Sequence, residues 1–154
     1  MATRLYLAQA NIATGIAPLD HPSMKSFVDK ITFINEAAEN APGFVWRFQT
    51  EEGDATGVRI YGDSRIIFNM SVWVSIDDLK WYTYNSDHLS VFKRRKEWFS
   101  KMSRPHSVLW WIHPSTRPTV EDALEKLAAL EKDGPRPDAF TFSKLFDASG
   151  KALR

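Results

Sequence analysis

Residues 84–99, YNSDHLSVFKRRKEWF, set a histidine and an arginine among aromatic side chains on a predicted helix. At about 100° per residue, His88 and Arg95 lie on the side of this helix that carries its aromatic residues, so both are predicted to point inward. A neutral imidazole can remove a proton from an enolisable or phenolic molecule, and a guanidinium can stabilise the oxyanion that forms. The pair therefore fits a general base and its electrostatic partner in a cavity. The alternative is structural: Arg95 binds a carboxylate or carbonyl and His88 is satisfied within the core.

Polar residues at the centres of the predicted strands favour the cavity, because polar groups buried in a purely structural sheet cost free energy. These mid-strand residues are Gln9, Asn11, Arg47, Gln49, Asn69 and Ser71. We expect Asn69 to assist Arg95 in stabilising an enolate or phenolate. The predicted substrate-binding residues are Trp46, Arg47, Trp73, Trp81, Tyr84, Phe92 and Trp98.

Other reactive groups are poorly placed for chemistry. His21, His106 and His113 have no metal-ligand spacing with each other or with carboxylates, so no metal site is predicted. The absence of cysteine excludes disulfides, thiolate nucleophiles and Cys-based metal sites. The KRRK run at 93–96 is typical of a solvated helix face.

The elements that must position these residues follow the order β-α-β-β-α-β, which is that of a ferredoxin-like fold. Periodicity predicts strands over 4–12, 44–49, 66–74 and 107–113, and helices over 23–39, from 75 to about 100, and from 119 to 134. The Asn-Ser-Asp triplet at 85–87 is expected to interrupt the second helix. The turn-rich segment EEGDATG predicts a hairpin or bulged excursion. A docked arm around Phe140 and Phe142 is expected after the last helix.

Alternation in steps of two assigns the faces of the predicted strands. In the strand over 66–74, the even-numbered residues form an apolar face, and the odd-numbered face is polar at its centre. In the strand over 44–49, Phe44, Trp46 and Phe48 are expected to share one face.

Length and composition are typical of a globular protein. The chain has 154 residues, of which 44% are hydrophobic and 25% charged. We expect a single domain over 1–154, with a core at about 4–113 and a C-terminal helix and arm at 119–146. The net charge of +1 gives no field for nucleic acid or membrane, so neither partner is predicted. The sequence shows no signal peptide and no apolar stretch of about 18 residues, which predicts a cytoplasmic protein.

Four segments resemble a known family. LAQANIA, APGFVWRFQ…GDATGVR, NMSVWVSIDDLKWYTYNSDHLSVFKRRKEWF and VLWWIHPSTRPTVEDALEKLAAL are similar to a bacterial and fungal domain-of-unknown-function group related to antibiotic-biosynthesis monooxygenases. The resemblance covers residues 4 to about 142 and implies the dimeric α/β-barrel superfamily. It implies an α+β fold, ferredoxin-like βαββαβ with an added C-terminal helix, in which two protomers join through their sheets into a dimeric α/β barrel.

A homodimer is also expected from the residues themselves. The predicted sheet carries apolar residues on both faces, including Trp46, Trp73 and one of Trp110 and Trp111. Each face needs cover, and the sequence offers helices mainly for one of them, so a second subunit is predicted to cover the other.

What the resemblance implies about activity is broader. The superfamily includes cofactor-free quinol and anthrone oxygenases, polyketide cyclases and haem proteins, and His88 resembles the catalytic histidine that the cyclases carry in their second helix. We therefore expect an enzyme of secondary metabolism, of cyclase, dehydratase or cofactor-free monooxygenase type, acting on a small molecule without a cofactor. Two alternatives stay open: a haem protein with His88 as ligand and Arg95 near a propionate or distal ligand, and a non-enzymatic small-ligand binder.

Overall fold

The fold is built around β1 (Tyr6–Gly15), whose ten residues pair with neighbours along both edges. The computed structural model describes residues 4–49, 60–85, 88–102 and 104–153. The other strands are β2 (Phe44–Arg47), β3 (Ile66–Trp73), β4 (Phe99–Ser100) and β5 (Ser107–Ile112). The helices are α1 (Lys25–Glu39), α2 (Ile76–Asn85), α3 (His88–Lys93) and α4 (Val120–Asp133), with single 3-10 turns at Pro22–Met24 and Arg95–Glu97.

Antiparallel pairing orders the sheet as β2–β3–β1–β5, and the two-residue β4 continues the β5 edge beside the end of β1. α1 connects β1 to β2, while α2 and α3 connect β3 to the β4–β5 edge. This is the βαββαβ arrangement of a ferredoxin-like fold with α4 added after β5. The predicted α+β, ferredoxin-like fold with an additional C-terminal helix is confirmed. The association of two chains into a barrel stays a prediction.

Local sequence signals set the ends of the helices. The Ser75 hydroxyl accepts from the backbone N–H of Asp78 at 3.1 Å and donates to its carboxylate at 2.9 Å, which caps α2. Thr119 and Asp122 form a reciprocal capping box at the start of α4. The predicted interruption at 85–87 stays a prediction, because residues 86 and 87 lie outside the described part of the chain, between the end of α2 at Asn85 and the start of α3 at His88. The predicted excursion at 51–57 lies outside the described residues.

Alternation along β3 gives the sheet two different faces, as predicted. One face packs against the inner side of α4 in a core formed by Ala8, Ala10, Ile12, Phe68, Met70, Val72, Val108, Trp110, Ala123, Leu127 and Leu130. α4 therefore covers this face from within the chain. The other three described helices, α1–α3, lie on the opposite face, so the helices do lie mainly on one face as predicted, and α4 adds cover to the second. The homodimer itself stays a prediction that the family resemblance supports.

β2 departs from the predicted alternation. Phe44 lies opposite Trp73 but Trp46 lies opposite Val72, so a β-bulge separates them. Phe44 therefore packs edge-on against Trp73, with ring centroids 5.6 Å apart, on the face covered by α1–α3. Trp46 packs on the α4 side. The prediction that Phe44 and Trp46 share a face is wrong, because the extra residue of a bulge reverses the phase of the side chains.

The arm after α4 docks beside β5, as predicted. Phe140 is fully buried, and its backbone exchanges two hydrogen bonds with that of Leu109, at 2.7 and 2.9 Å. The indole of Trp111 donates to the carbonyl oxygen of Phe146 at 3.0 Å. These contacts fix the segment that carries Phe142 to the rim of the site described next.

Candidate functional site

A cavity of about 360 Å³ lies between the sheet and the three helices α1, α2 and α3. The strand register gives this cavity a polar floor. Arg47, Ser71 and Gln9 lie side by side across β2, β3 and β1, and Asn69 and Asn11 lie side by side in the next row on the same face. The rows on either side are apolar and consist of Phe44, Trp73 and Leu7, and of Ile67 and Ala13.

Hydrogen bonds join the floor residues into one network. Gln9 Nε2 donates to Asn69 Oδ1 and to Ser71 Oγ, both at 2.7 Å, and Asn11 Nδ2 donates to Gln9 Oε1 at 3.1 Å. Gln9 and Ser71 are 8% and 5% exposed, so these bonds replace the water that the groups lose on folding. Within the described part of the chain, no acceptor contacts the Nδ2 group of Asn69, which lines the cavity. The floor therefore offers an amide donor to a bound molecule.

Ser71 adds a second donor. Its Oγ accepts from Gln9 Nε2 and from the Trp73 indole N–H at 2.8 Å. A hydroxyl has two lone pairs and one proton, so these two bonds use its acceptor capacity and leave the proton to be donated. Since Ser71 lines the cavity, that proton is available to an oxygen atom bound above the floor.

His88 begins α3 and lines the same cavity. Its Nδ1 lies 3.2 Å from the backbone oxygen of Thr83. A carbonyl only accepts, so Nδ1 carries the proton and the lone pair of the neutral ring is on Nε2. Burial lowers the pKa of His88 below its usual value, and the bond to Thr83 opposes this in part. The imidazole is therefore neutral at pH 7, which is the form that a general base requires.

An aromatic stack holds the histidine over the floor. The Tyr82 ring stacks on Trp73 and also contacts the His88 ring, with centroids 5.0 Å apart in both cases. The Tyr82 hydroxyl donates to the backbone oxygen of Ile34 on α1 at 3.3 Å. Because Trp73 also donates to Ser71, the base and the floor are parts of one packed unit.

Arg95 was predicted to point inward, but its side chain is exposed. Its guanidinium lies 4.2 Å from the Phe92 ring centroid, and its Nη1 donates to the Phe92 backbone oxygen at 2.9 Å. Seven residues of mainly helical rise place its backbone about 10 Å from His88. The helical-face prediction failed because α3 ends at Lys93 and a 3-10 turn follows, which changes the direction of the side chain. Arg95 lines the cavity at its mouth.

Arg47 is the cation of the floor. Its Nε donates to Glu39 Oε1 at 2.7 Å, and the two side chains are 14% and 45% exposed. The guanidinium is thus mostly removed from water at the β2 end of the polar row, where its charge acts more strongly than at the surface.

The structure brings together a large part of the predicted site. The cavity is lined by His88, Arg95, Asn69, Arg47, Tyr84 and Phe92. The remaining predicted residues, four tryptophans, are not among the described residues that line it.

Each of these tryptophans lies away from the cavity for its own physical reason. The β2 bulge turns Trp46 to the other face, and Trp73 lies fully buried beneath Tyr82. Trp81 is 46% exposed on the outer side of α2. Trp98 is 1% exposed and donates to Ser26 Oγ at 2.8 Å, within a separate core.

Lys30, Tyr82 and Phe142 line the cavity but were not predicted. Lys30 follows Phe27 by three residues on the inner face of α1, so helical spacing could have identified it. Tyr82 follows the buried Leu79 by three residues on α2 in the same way. No local pattern could have identified Phe142, because only docking of the C-terminal arm brings it there.

Metal and membrane signals are absent from the part of the chain that the structure describes. No group of three or more His, Asp or Glu side chains there could hold a metal ion. None of the described helices combines the length and the apolar character needed to cross a membrane.

Comparisons with known proteins concern the family and the fold. Residues 6–154 match the family described as Domain of unknown function (DUF3291). No curated protein matches the sequence. Among solved structures, PA3566 from Pseudomonas aeruginosa is similar with a TM-score of 0.50 at 12% identity, over 77% of this chain and 100% of that chain.

Two further structures are similar at slightly lower scores. SnoaB, a cofactor-independent oxygenase from Streptomyces nogalater, has a TM-score of 0.49 at 14% identity, over 75% of this chain and 97% of that chain. NE2512, a protein of unknown function from Nitrosomonas europaea, has a TM-score of 0.49 at 7% identity, over 77% of this chain and 97% of that chain.

Proposed function

The chain belongs to the DUF3291 family, as its resemblance to a domain-of-unknown-function group predicted, and we propose that it is an enzyme that removes a proton from a small enolisable or phenolic molecule. His88 is the general base. The observation that carries the proposal is a neutral, oriented imidazole that shares one cavity with a floor of hydrogen-bond donors. The cavity volume of about 360 Å³ falls within the range of about 300–1,000 Å³ typical of small-molecule sites.

In the proposed step, a C–H or O–H proton of the substrate moves to Nε2 of His88. The substrate keeps the electron pair as an enolate or phenolate, and the ring becomes an imidazolium. Although burial alone disfavours the charged ring, the new anion beside it compensates for that cost. Cyclisation, dehydration and reaction with oxygen can each begin with this step, and none of them requires a cofactor for it.

In this proposal the residues of the polar floor, rather than Arg95, stabilise the negative charge that develops on the substrate. Asn69 and Ser71 supply an amide and a hydroxyl donor, and Arg47 supplies a positive charge in the same row as Ser71. Donors held in place before reaction stabilise an oxyanion without reorganisation, which is why a rigid network matters here. Arg95 sits at the mouth, about 10 Å along the chain from His88.

Apolar side chains enclose the remaining space. Ile31 and Ile34 from α1, Ile67 from β3 and Val91 from α3 line the cavity. They exclude water from the base and bind the hydrocarbon part of the substrate. An aromatic or polyketone molecule is the class that such walls accept.

Hydrogen–deuterium exchange into two enolisable probes, benzoylacetone and dithranol, tests the proposal without knowledge of the product. We expect the protein to catalyse exchange, measured by NMR in D₂O under argon, and His88→Gln to reduce the rate by about 10²–10⁴-fold. The rate should rise with pH through an apparent pKa below 6.5, since only the neutral ring accepts a proton. The matched control is His113→Gln, which changes an exposed histidine that does not line the cavity.

Three results would overturn general-base catalysis. Equal exchange rates for His88→Gln and the parent protein, with both folded by circular dichroism, would remove His88 from the reaction. Tight binding of both probes with no exchange above the buffer rate would favour a non-enzymatic binder. A Soret band that shifts in His88→Gln would identify His88 as a haem ligand.

A further inference from the structure

The charged residues that line the cavity, within the described part of the chain, are all cationic, although Glu39 outside the lining pairs with Arg47. Among the described residues that line it, Lys30, Arg47 and Arg95 are cationic, and none is an aspartate or glutamate. The chain as a whole is nearly balanced, with 20 basic and 19 acidic residues, so this excess is a local property of the site. A cavity lined by one sign of charge concentrates ligands of the opposite sign.

The cations form two separate groups. Arg47 lies in the row of Gln9, whereas Arg95 lies four residues before Phe99, which pairs with Gly15 at the far end of β1. The rows of Gln9 and Phe99 are about 20 Å apart at 3.3 Å per residue of β1, so Arg95, in the 3-10 turn that leads to Phe99, lies toward the opposite end of the sheet from Arg47. Each guanidinium is also held by its own contacts, Arg47 by a salt bridge and Arg95 by the Phe92 ring and backbone oxygen. The two arginines therefore serve different groups of a bound molecule.

Lys30 belongs to the Arg95 end. It follows Phe27 by one helical turn, and the Phe27 ring contacts those of Trp98 and Phe99, with centroids 5.4 and 5.0 Å away. The hydrogen bond with Arg94 is the main cause that lowers the pKa of the Glu97 carboxyl, and the nearby charge of Lys30 adds a smaller contribution. Glu97 does not line the cavity, and its carboxylate is paired with Arg94 at 2.7 Å.

From this arrangement we infer that the substrate carries a permanent anionic group, such as a carboxylate, which Lys30 and Arg95 bind at the mouth of the cavity. The inference rests on the proposed function for the position of the reacting centre, which lies near His88 and the floor, about 10 Å from the anchor. Arg47 then stabilises the charge that develops during the reaction, and the mouth cations stabilise the charge that is present from the start. An acidic polyketone or phenolic acid has both features.

Two fluorescent probes with nearly the same rings isolate the contribution of the charge. 8-Anilinonaphthalene-1-sulfonate is an anion, and N-phenyl-1-naphthylamine is its neutral counterpart. We expect one anionic probe to bind per chain, with an affinity that falls as NaCl rises from about 50 to about 300 mM. Lys30→Met and Arg95→Met should each lower the affinity for the anionic probe about fivefold, and together about 20-fold. The affinity for the neutral probe should change by less than about twofold.

Lys93→Met is the matched control, because Lys93 is an exposed cation two residues from Arg95 that does not line the cavity. The inference is overturned if Lys93→Met weakens binding of the anion as much as Arg95→Met, if both probes lose affinity equally, or if the double variant binds the anion unchanged. The anchor and the base fail separately. His88→Gln should abolish proton exchange and leave the anionic probe bound, whereas the mouth variants should weaken binding of the anionic probe. Loss of the anionic probe in His88→Gln would contradict an anchor that is separate from the base.

Discussion

Replacing Ser71 by alanine should destabilise the protein through two donors that lose their acceptor. The Trp73 indole N–H and the Gln9 side-chain amide both donate hydrogen bonds to Ser71 Oγ. Because Trp73 is 0% exposed, water cannot replace Ser71 as the acceptor. An unsatisfied buried donor costs about 1–3 kcal/mol, and Gln9 keeps its bond to Asn69. We therefore expect Ser71→Ala to lower the free energy of unfolding by about 2–3 kcal/mol, mostly through Trp73.

A double-mutant cycle with Trp73→Phe separates this effect from packing. Trp73→Phe removes the N–H along with some ring volume, so the double variant should be about 1–3 kcal/mol more stable than the sum of the single changes predicts. Urea denaturation measures both quantities, and the midpoint of thermal unfolding should fall by about 4–12 °C for Ser71→Ala. Ser107→Ala is the control, because this serine lines the same cavity without a described side-chain hydrogen bond. A strictly additive cycle, or a Ser71→Ala change below about 0.5 kcal/mol, would refute the network as drawn.

Three further predictions follow from the same contacts. Arg95→Met should change the free energy of unfolding by less than about 1 kcal/mol, because the side chain is exposed; a loss above about 2 kcal/mol in urea denaturation would instead indicate a core ion pair. Burial raises the pKa of Tyr82 well above its usual value, so the folded state retains a proton that the unfolded chain releases near pH 10, and stability should fall with rising pH above that point. Tyr82→Phe should abolish this part of the alkaline fall in the urea midpoint, and an unchanged pH dependence would contradict the assignment. Multi-angle light scattering should give twice the chain mass at micromolar concentration if two chains form the predicted homodimer, and a stable monomer would exclude it.

The sequence by itself determined the order of elements and the character of the β3 faces. Strand periodicity and the Ser75 and Thr119 caps are local signals, and each corresponds to a boundary in the structure. The polar residues at the centres of the strands could also be predicted from the sequence. Alternation assigns each side chain to a face of the strand without knowledge of the neighbouring strands. Helical spacing likewise predicted that His88 points inward, but left open whether it lines a cavity or is satisfied within the core.

Only the tertiary structure decided which other residues share that cavity. Helical spacing predicts which residues share a face only while the helix continues. Because α3 ends at Lys93 and a 3-10 turn follows, Arg95 lies at the mouth of the cavity instead. The bulge in β2 reversed the phase of Trp46 in the same way. The wall formed by Phe142 and the cover that α4 gives to the second sheet face depend on packing between segments distant in sequence. Local periodicity fixes the direction of a side chain relative to its own element, but the relative placement of elements is fixed by contacts that no short stretch of sequence contains.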